Sequence, residues 1–124
     1  YRLLRRSLTY QSLEFIGDRV LSMIILNYMI ETPDVLNFTP QLMSDFAKQS
    51  ESNFVLLKIA NELQLCTKLG LSTSSHLRIR GSHTQCGDVV EAILGALYVQ
   101  YNYQRYDDIY QWYINIPQVS ELLA

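Results

Sequence analysis

Cysteine is nearly absent from this chain of 124 residues: Cys66 and Cys86 are the only two, and they stand singly, without CxxC spacing and without a histidine pair nearby. Neither a zinc site nor a disulfide scaffold is therefore expected, and a reducing compartment suits the thiol content. His76 and His83 lack the spacing of a ligand pair and are expected on the surface. Charge of one sign is missing too: 10 Lys and Arg are mixed along the chain with 12 Asp and Glu, for a formal net charge of -2. That balance argues against a basic tail and against tight, nonspecific nucleic-acid binding by this segment alone. The longest apolar stretch, Val20 to Ile30, is interrupted by Ser22, Asn27 and Tyr28. It falls short of the roughly 20 residues that a membrane span needs. With no span and no secretory signal, an intracellular, cytoplasmic location is expected, an organelle such as the mitochondrion being the alternative. Strict strand-type alternation, internal repeats and low-complexity tracts are also lacking.

What the chain does have is apolar content, 48% of its residues, enough for one domain spanning 1–124 with a core of its own. Apolar residues recur at three- and four-residue spacing almost throughout, which predicts an all-α fold. Leu13, Ile16, Val20 and Ile24 mark a first long helix that ends before Pro33, because the residue ahead of a proline disfavours helical geometry. A turn follows through ETPDVLNFTP. Thr39 caps a helix with Pro40 in its first turn, and a helical pattern runs on through Phe54, Leu57, Ala60 and Leu63 toward Leu65, closed by Gly70. The stretch LSTSSHLRIRGSHTQ, residues 71–85, has no period and reads as a surface connection. Helical wording resumes from Gly87 to about Tyr101, and a last amphipathic stretch, RYDDIYQWYINI, packs its isoleucines and aromatics back on the body.

Two of these helices carry acids inside otherwise apolar wording. LEFIGDRVL, residues 13–21, sets Glu14 and Asp18 four apart, and GDVVEAILGALY, residues 87–98, sets Asp88 and Glu91 three apart. Either spacing puts both acids on one helical face, about 5 to 6 Å apart at Cβ. Gly87, Ala92, Gly95 and Ala96 are small enough to let another helix approach closely, so the two acidic edges can face each other. Four carboxylates gathered in this way repel, since two unit charges 4 Å apart cost about 4 kcal/mol at an effective dielectric near 20. A hard divalent cation, Mg²⁺ or Mn²⁺, takes oxygen ligands and offsets that repulsion. Acid pairs on helices also occur as plain solvated faces, and spacing alone does not separate the two readings.

The wording of both stretches favours the cation. YQSLEFIGDRVL, residues 10–21, resembles the signature of the ribonuclease III family, in which a Leu-Glu-Phe-Leu-Gly-Asp core opens the catalytic helix. GDVVEAILGALY resembles that family's other acidic motif, Asp-x-x-Glu-Ala followed by a Gly-Ala pair, in the expected order and at about the expected separation. SNFVLLKIANELQL, residues 52–65, is similar to the family's helix ending in a Gly-Leu turn, and the wording is closer to bacterial members than to the eukaryotic dicing enzymes. The resemblance implies the all-α ribonuclease III endonuclease fold, with Glu14, Asp18, Asp88 and Glu91 as the catalytic, metal-binding carboxylates and Mg²⁺ as cofactor, Mn²⁺ substituting. It implies metal-activated water attacking a phosphodiester of double-stranded RNA to leave a 5′-phosphate and a 3′-hydroxyl, with Glu91 the most critical ligand. It further implies a homodimer in which the ring of Phe15 enters a hollow of the partner; an ordinary core phenylalanine is the competing reading.

The chain also departs from the family pattern. Gln11 stands where an acidic residue is usual, Thr84 where a lysine is frequent, and DFAKQS, residues 45–50, lacks the expected arginine-and-valine wording. YRLLRRSLTY holds at most a remnant of the helix that members carry before the first signature, which implies a trimmed domain or an unusual variant. The residues after Tyr101 cannot hold a double-stranded-RNA-binding domain. Duplex RNA calls for a basic surface; Arg78 and Arg80, in the polar connection, are the expected RNA contacts. The alternative function is a catalytically silent dimerisation or scaffold subunit of an RNA-processing or ribosomal assembly. Such relatives have usually lost one of the acids, and all four are present here.

Overall fold

The computed structural model describes residues 8–32, 39–68, 86–101 and 103–123, and among them every regular element is a helix. In chain order these are α1 (Tyr10–Glu31), α2 (Pro40–Ser50), α3 (Asn53–Glu62), α4 (Leu65–Lys68), α5 (Cys86–Gln100), α6 (Tyr106–Ile114) and α7 (Pro117–Leu123). The all-α expectation therefore holds.

Helix α1 begins where Thr9 turns its side chain back to accept from the Ser12 N–H at 3.0 Å. Such a cap satisfies one of the amide donors that the first turn of any helix leaves without a partner. The helix ends at Thr32, which is extended (φ -76°, ψ 136°) as the residue before a proline should be. Thr39 caps α2 in the same manner, accepting from the Leu42 N–H, with Pro40 at the first helical position.

The helix expected from Thr39 and Pro40 and the second helical pattern expected through Phe54 to Leu65 are separate helices, and the break between them falls at Glu51 and Ser52. Glu51 closes α2, and Ser52 starts α3 by accepting from the Val55 N–H at 3.2 Å. A serine side chain that competes for backbone donors is enough to turn the chain there, and apolar periodicity does not register it. A departure from the expected pattern is α7, which lies beyond the last helix that periodicity marks. The turn expected over 33–38, Gly70 and the surface connection of 71–85 with His76 and His83 lie outside the described residues.

Cys86 corrects a second expectation: it is fully buried at the start of α5 and is disulfide-bonded rather than an isolated thiol. Motif spacing along the chain cannot detect a pairing that the fold brings about.

Helices α1 and α5 make the most extensive contact, and α3 packs on the other side of α5. Leu21, Ile24 and Ile25 of α1, Leu56 and Ile59 of α3 and Leu94 of α5 are shut off from solvent, with Tyr113 of α6 and Val119 of α7 closing the core. Two polar contacts tie α6 to the end of α1: the Asn27 amide donates to the Tyr106 hydroxyl at 2.5 Å, and the Tyr110 hydroxyl donates to Glu31 at 3.0 Å.

Where α1 crosses α5, two glycines meet two backbones. A Cβ on Gly17 would stand 1.6 Å from the carbonyl oxygen of Glu91, and one on Gly95 would stand 2.1 Å from that of Leu13. Backbone atoms cannot swing aside as a flexible side chain does, so even a methyl group would force the helices apart. Of the other small residues singled out above, Gly87 faces α3 instead, at the Leu56–Leu57 backbone. We expect Gly17→Ala to destabilise the domain by about 3 kcal/mol or more. Thermal unfolding followed by circular dichroism should show the midpoint falling by about 10 °C or more; an unchanged midpoint would refute the close crossing.

Candidate metal centre

The glycine crossing sets the acidic edges of α1 and α5 against each other. Glu14 and Asp18 project one turn apart from α1, Asp88 and Glu91 from the first half of α5. Carboxylate oxygens of Glu14, Asp88 and Glu91 all lie within 4.8 Å of one another. Asp18 is outside that trio but is hydrogen-bonded to Glu91 through their side chains. Two of the four acids are deeply buried: Asp88 keeps 6% of its surface and Glu91 9%.

Together they line a pocket of about 400 Å³ whose other walls are Gln11, Phe15, Glu51 and Asn53. Among these lining residues none is basic. All four candidate site residues named from the sequence thus share one pocket. Arg78 and Arg80 lie outside the described residues. Phe15 stands at the pocket's edge with 61% of its surface exposed, so the reading as an ordinary core phenylalanine is overturned. Three residues were not marked from the sequence. Glu51 and Asn53 sit at the α2–α3 elbow, where only the fold brings them to the pocket. Tyr10, one turn before Glu14, has the right helical phase to have been noticed.

The electrostatics follow from crowding. The carboxyl of Glu91 is pushed up to about 8, first by burial, then by the hydrogen bond to Asp18 and by the charges of Asp18, Asp88 and Glu14. A hydrogen bond between two acids needs a proton, and Glu91 holds it. Burial also raises the Glu51 carboxyl, with the Ser22 hydrogen bond opposing and the Asp18 charge adding. The Tyr10 phenol is raised by burial and then by Glu14, Asp88 and Glu91, so it remains a neutral donor against that trio.

The donor set fits a hard cation. It consists of oxygens only, and two oxygens on opposite sides of Mg²⁺ stand about 4 Å apart, so a trio already within 4.8 Å needs little closure. The hydroxyl of Tyr10 is buried with no hydrogen-bond partner. Such an orphan donor costs about 1 to 3 kcal/mol.

Fold and pocket together define an all-helical domain with an acidic pocket rich in carboxylate oxygens. The chain belongs to the ribonuclease III family: the family model described as ribonuclease III domain matches residues 11–102. Similar curated proteins carry the name Ribonuclease 3. That of Acinetobacter baylyi is 37% identical over 106 residues, covering 82% of this chain and 44% of the relative. That of Acinetobacter pittii is 35% identical over 121 residues, covering 92% of this chain and 50% of the relative. The chain thus spans about half the length of the curated relatives it matches. No solved structure gives a significant match. No helix among the described residues is long and apolar enough to cross a membrane.

The proton on Glu91 has a measurable consequence in the metal-free protein. From about 4.5, its ordinary value, up to about 8, the folded chain holds a proton that the unfolded chain has released. Stability contributed by this group is therefore present at the acid end of that window and lost as pH rises through it. In chelator, the thermal midpoint should fall between those limits, and Glu91→Gln should flatten the decline and melt higher at pH 8 than the parent. Parallel pH profiles for the two proteins would contradict this protonation scheme.

Proposed function

We propose that the domain is a metal-dependent endoribonuclease that hydrolyses phosphodiesters of double-stranded RNA, leaving 5′-phosphate and 3′-hydroxyl ends. The observation that carries the reading is the burial of Glu91 among Glu14, Asp18 and Asp88 in a pocket lined by five carboxylates. Such a pocket is costly for folding and becomes favourable when a dication enters. Membership of the ribonuclease III family supports the same reading.

Glu14, Asp88 and Glu91 would hold Mg²⁺, with Mn²⁺ as a substitute, and Asp18 steadies Glu91 from the side. A cation bound there supplies a water made acidic enough to attack at neutral pH and a positive charge for the oxygens of the reacting phosphate. Each protein group then has a definite task. Glu91 exchanges its proton for the cation. The apolar faces of α1 and α5 hold the four carboxylates in register.

The active unit in this reading is a homodimer, because cutting both strands needs two such sites. What supports it is the outer face of α1, where Phe15, Met23, Leu26 and Ile30 form an exposed apolar stripe along successive turns. Arg19 lies in that stripe with its guanidinium 5.0 Å from the centre of the Phe15 ring. A stripe of this kind on a monomer marks an interaction surface. Two-fold pairing lets each Phe15 meet the partner's copy of the same face.

Cleavage of a long labelled RNA duplex, with Mg²⁺ or Mn²⁺ against chelator, tests the activity. The parent should cut only with metal, and Glu91→Gln should lose at least about 10³-fold. No cutting by a folded, dimeric parent would favour the scaffold subunit. Phe15→Glu should weaken self-association by about 100-fold in sedimentation, whereas a parent that is already monomeric at micromolar concentration refutes the dimer.

A further inference from the structure

The elbow between α2 and α3 brings a fifth carboxylate to the pocket. Glu51 is the residue that ends α2, and it lines the same cavity as Glu14, Asp18, Asp88 and Glu91. It is held in place: the Ser22 hydroxyl donates to Glu51 Oε1 at 2.6 Å and also lies 3.1 Å from the carbonyl oxygen of Asp18. With one proton to give, Ser22 gives it to the nearer carboxylate, so the elbow is latched to α1 one turn beyond Asp18.

A latch alone does not call for a charge, because a neutral acceptor would take the Ser22 proton equally well. Placing a half-buried carboxylate beside Asp18 adds repulsion, which a bound cation would relieve. Gln11, on the wall of the same pocket, is neutral at the position where the family pattern usually has an acid. The wall formed by α1 thus lacks that charge at position 11, and the α2–α3 elbow supplies a carboxylate to the same pocket.

We propose that Glu51 is a positioning residue for the bound cation, standing in from the α2–α3 elbow for the acid absent at position 11. Its carboxylate accepts hydrogen bonds from the water that fills the cation's remaining coordination positions, and its charge strengthens the cation's hold on the pocket. The inference rests on the metal reading above.

Titration calorimetry with Mn²⁺, which needs no RNA and no turnover, tests it on the full chain and on three variants. Glu51→Gln keeps an acceptor for Ser22 and removes only the charge; it should bind Mn²⁺ about tenfold more weakly. Adding Gln11→Glu to that variant should restore most of the loss. Ser22→Ala, which frees the carboxylate without removing it, should weaken binding less than Glu51→Gln. Unaltered affinity in Glu51→Gln, or a loss that Gln11→Glu does not recover, overturns the role of Glu51 while leaving the metal centre standing. No Mn²⁺ binding by the parent overturns the metal reading itself, and this inference with it. Circular dichroism of each variant guards the comparison: if Glu51→Gln proves unfolded, Gln11→Glu in the parent decides, and failure to tighten Mn²⁺ binding there overturns the inference.

Discussion

Everything in this domain that bears on chemistry depends on the contact of two helix backbones at Gly17 and Gly95. Helices that cross with ordinary side chains between them stand about 8 to 10 Å apart. Here the Cα of each glycine lies against a peptide of the other helix, with no room for one added carbon. The crossing point falls inside both acidic motifs: Gly17 directly precedes Asp18, and the peptide it touches is that of Glu91. The same contact that locks the helices together therefore sets the spacing of the carboxylates. A wider crossing would leave two solvated acid pairs.

Such closeness crowds negative charge into one pocket. The pocket meets this repulsion by keeping a proton on Glu91, whose side chain is hydrogen-bonded to Asp18. In the proposed reading a divalent cation would compete with that proton for one place, with the advantage of more charge and several ligands at once. Burial works in two directions: it makes the empty arrangement costly and, by excluding water, makes each carboxylate a stronger ligand. The local instability and the binding capacity have one origin.

The surroundings divide this work among themselves. Leu21, Ile24 and Ile25 anchor α1 from within, while Phe15, Met23, Leu26 and Ile30 leave its outer face apolar and open. One helix thus contributes to the core, the pocket and a candidate association surface, in different directions around its axis. The α2–α3 elbow adds Glu51 and Asn53 from outside both motifs.

Much of this was legible in the chain. Three- and four-residue apolar spacing determined the helical class. The residue before Pro33 and the Thr39–Pro40 pair determined where α1 stops and α2 starts, because these signals act within a few residues. The acid spacings determined that each motif offers one acidic edge, and the small residues beside Glu91 that a neighbour could come close. Only the tertiary structure decided which helix approaches which glycine, that Cys86 is disulfide-bonded, and that Glu51 reaches the pocket from Ser22's side. The reason is range. Helix phase and capping are local properties of the backbone, whereas crossing distance, burial and the repulsion among carboxylates arise between segments that the chain separates by dozens of residues and only packing brings together.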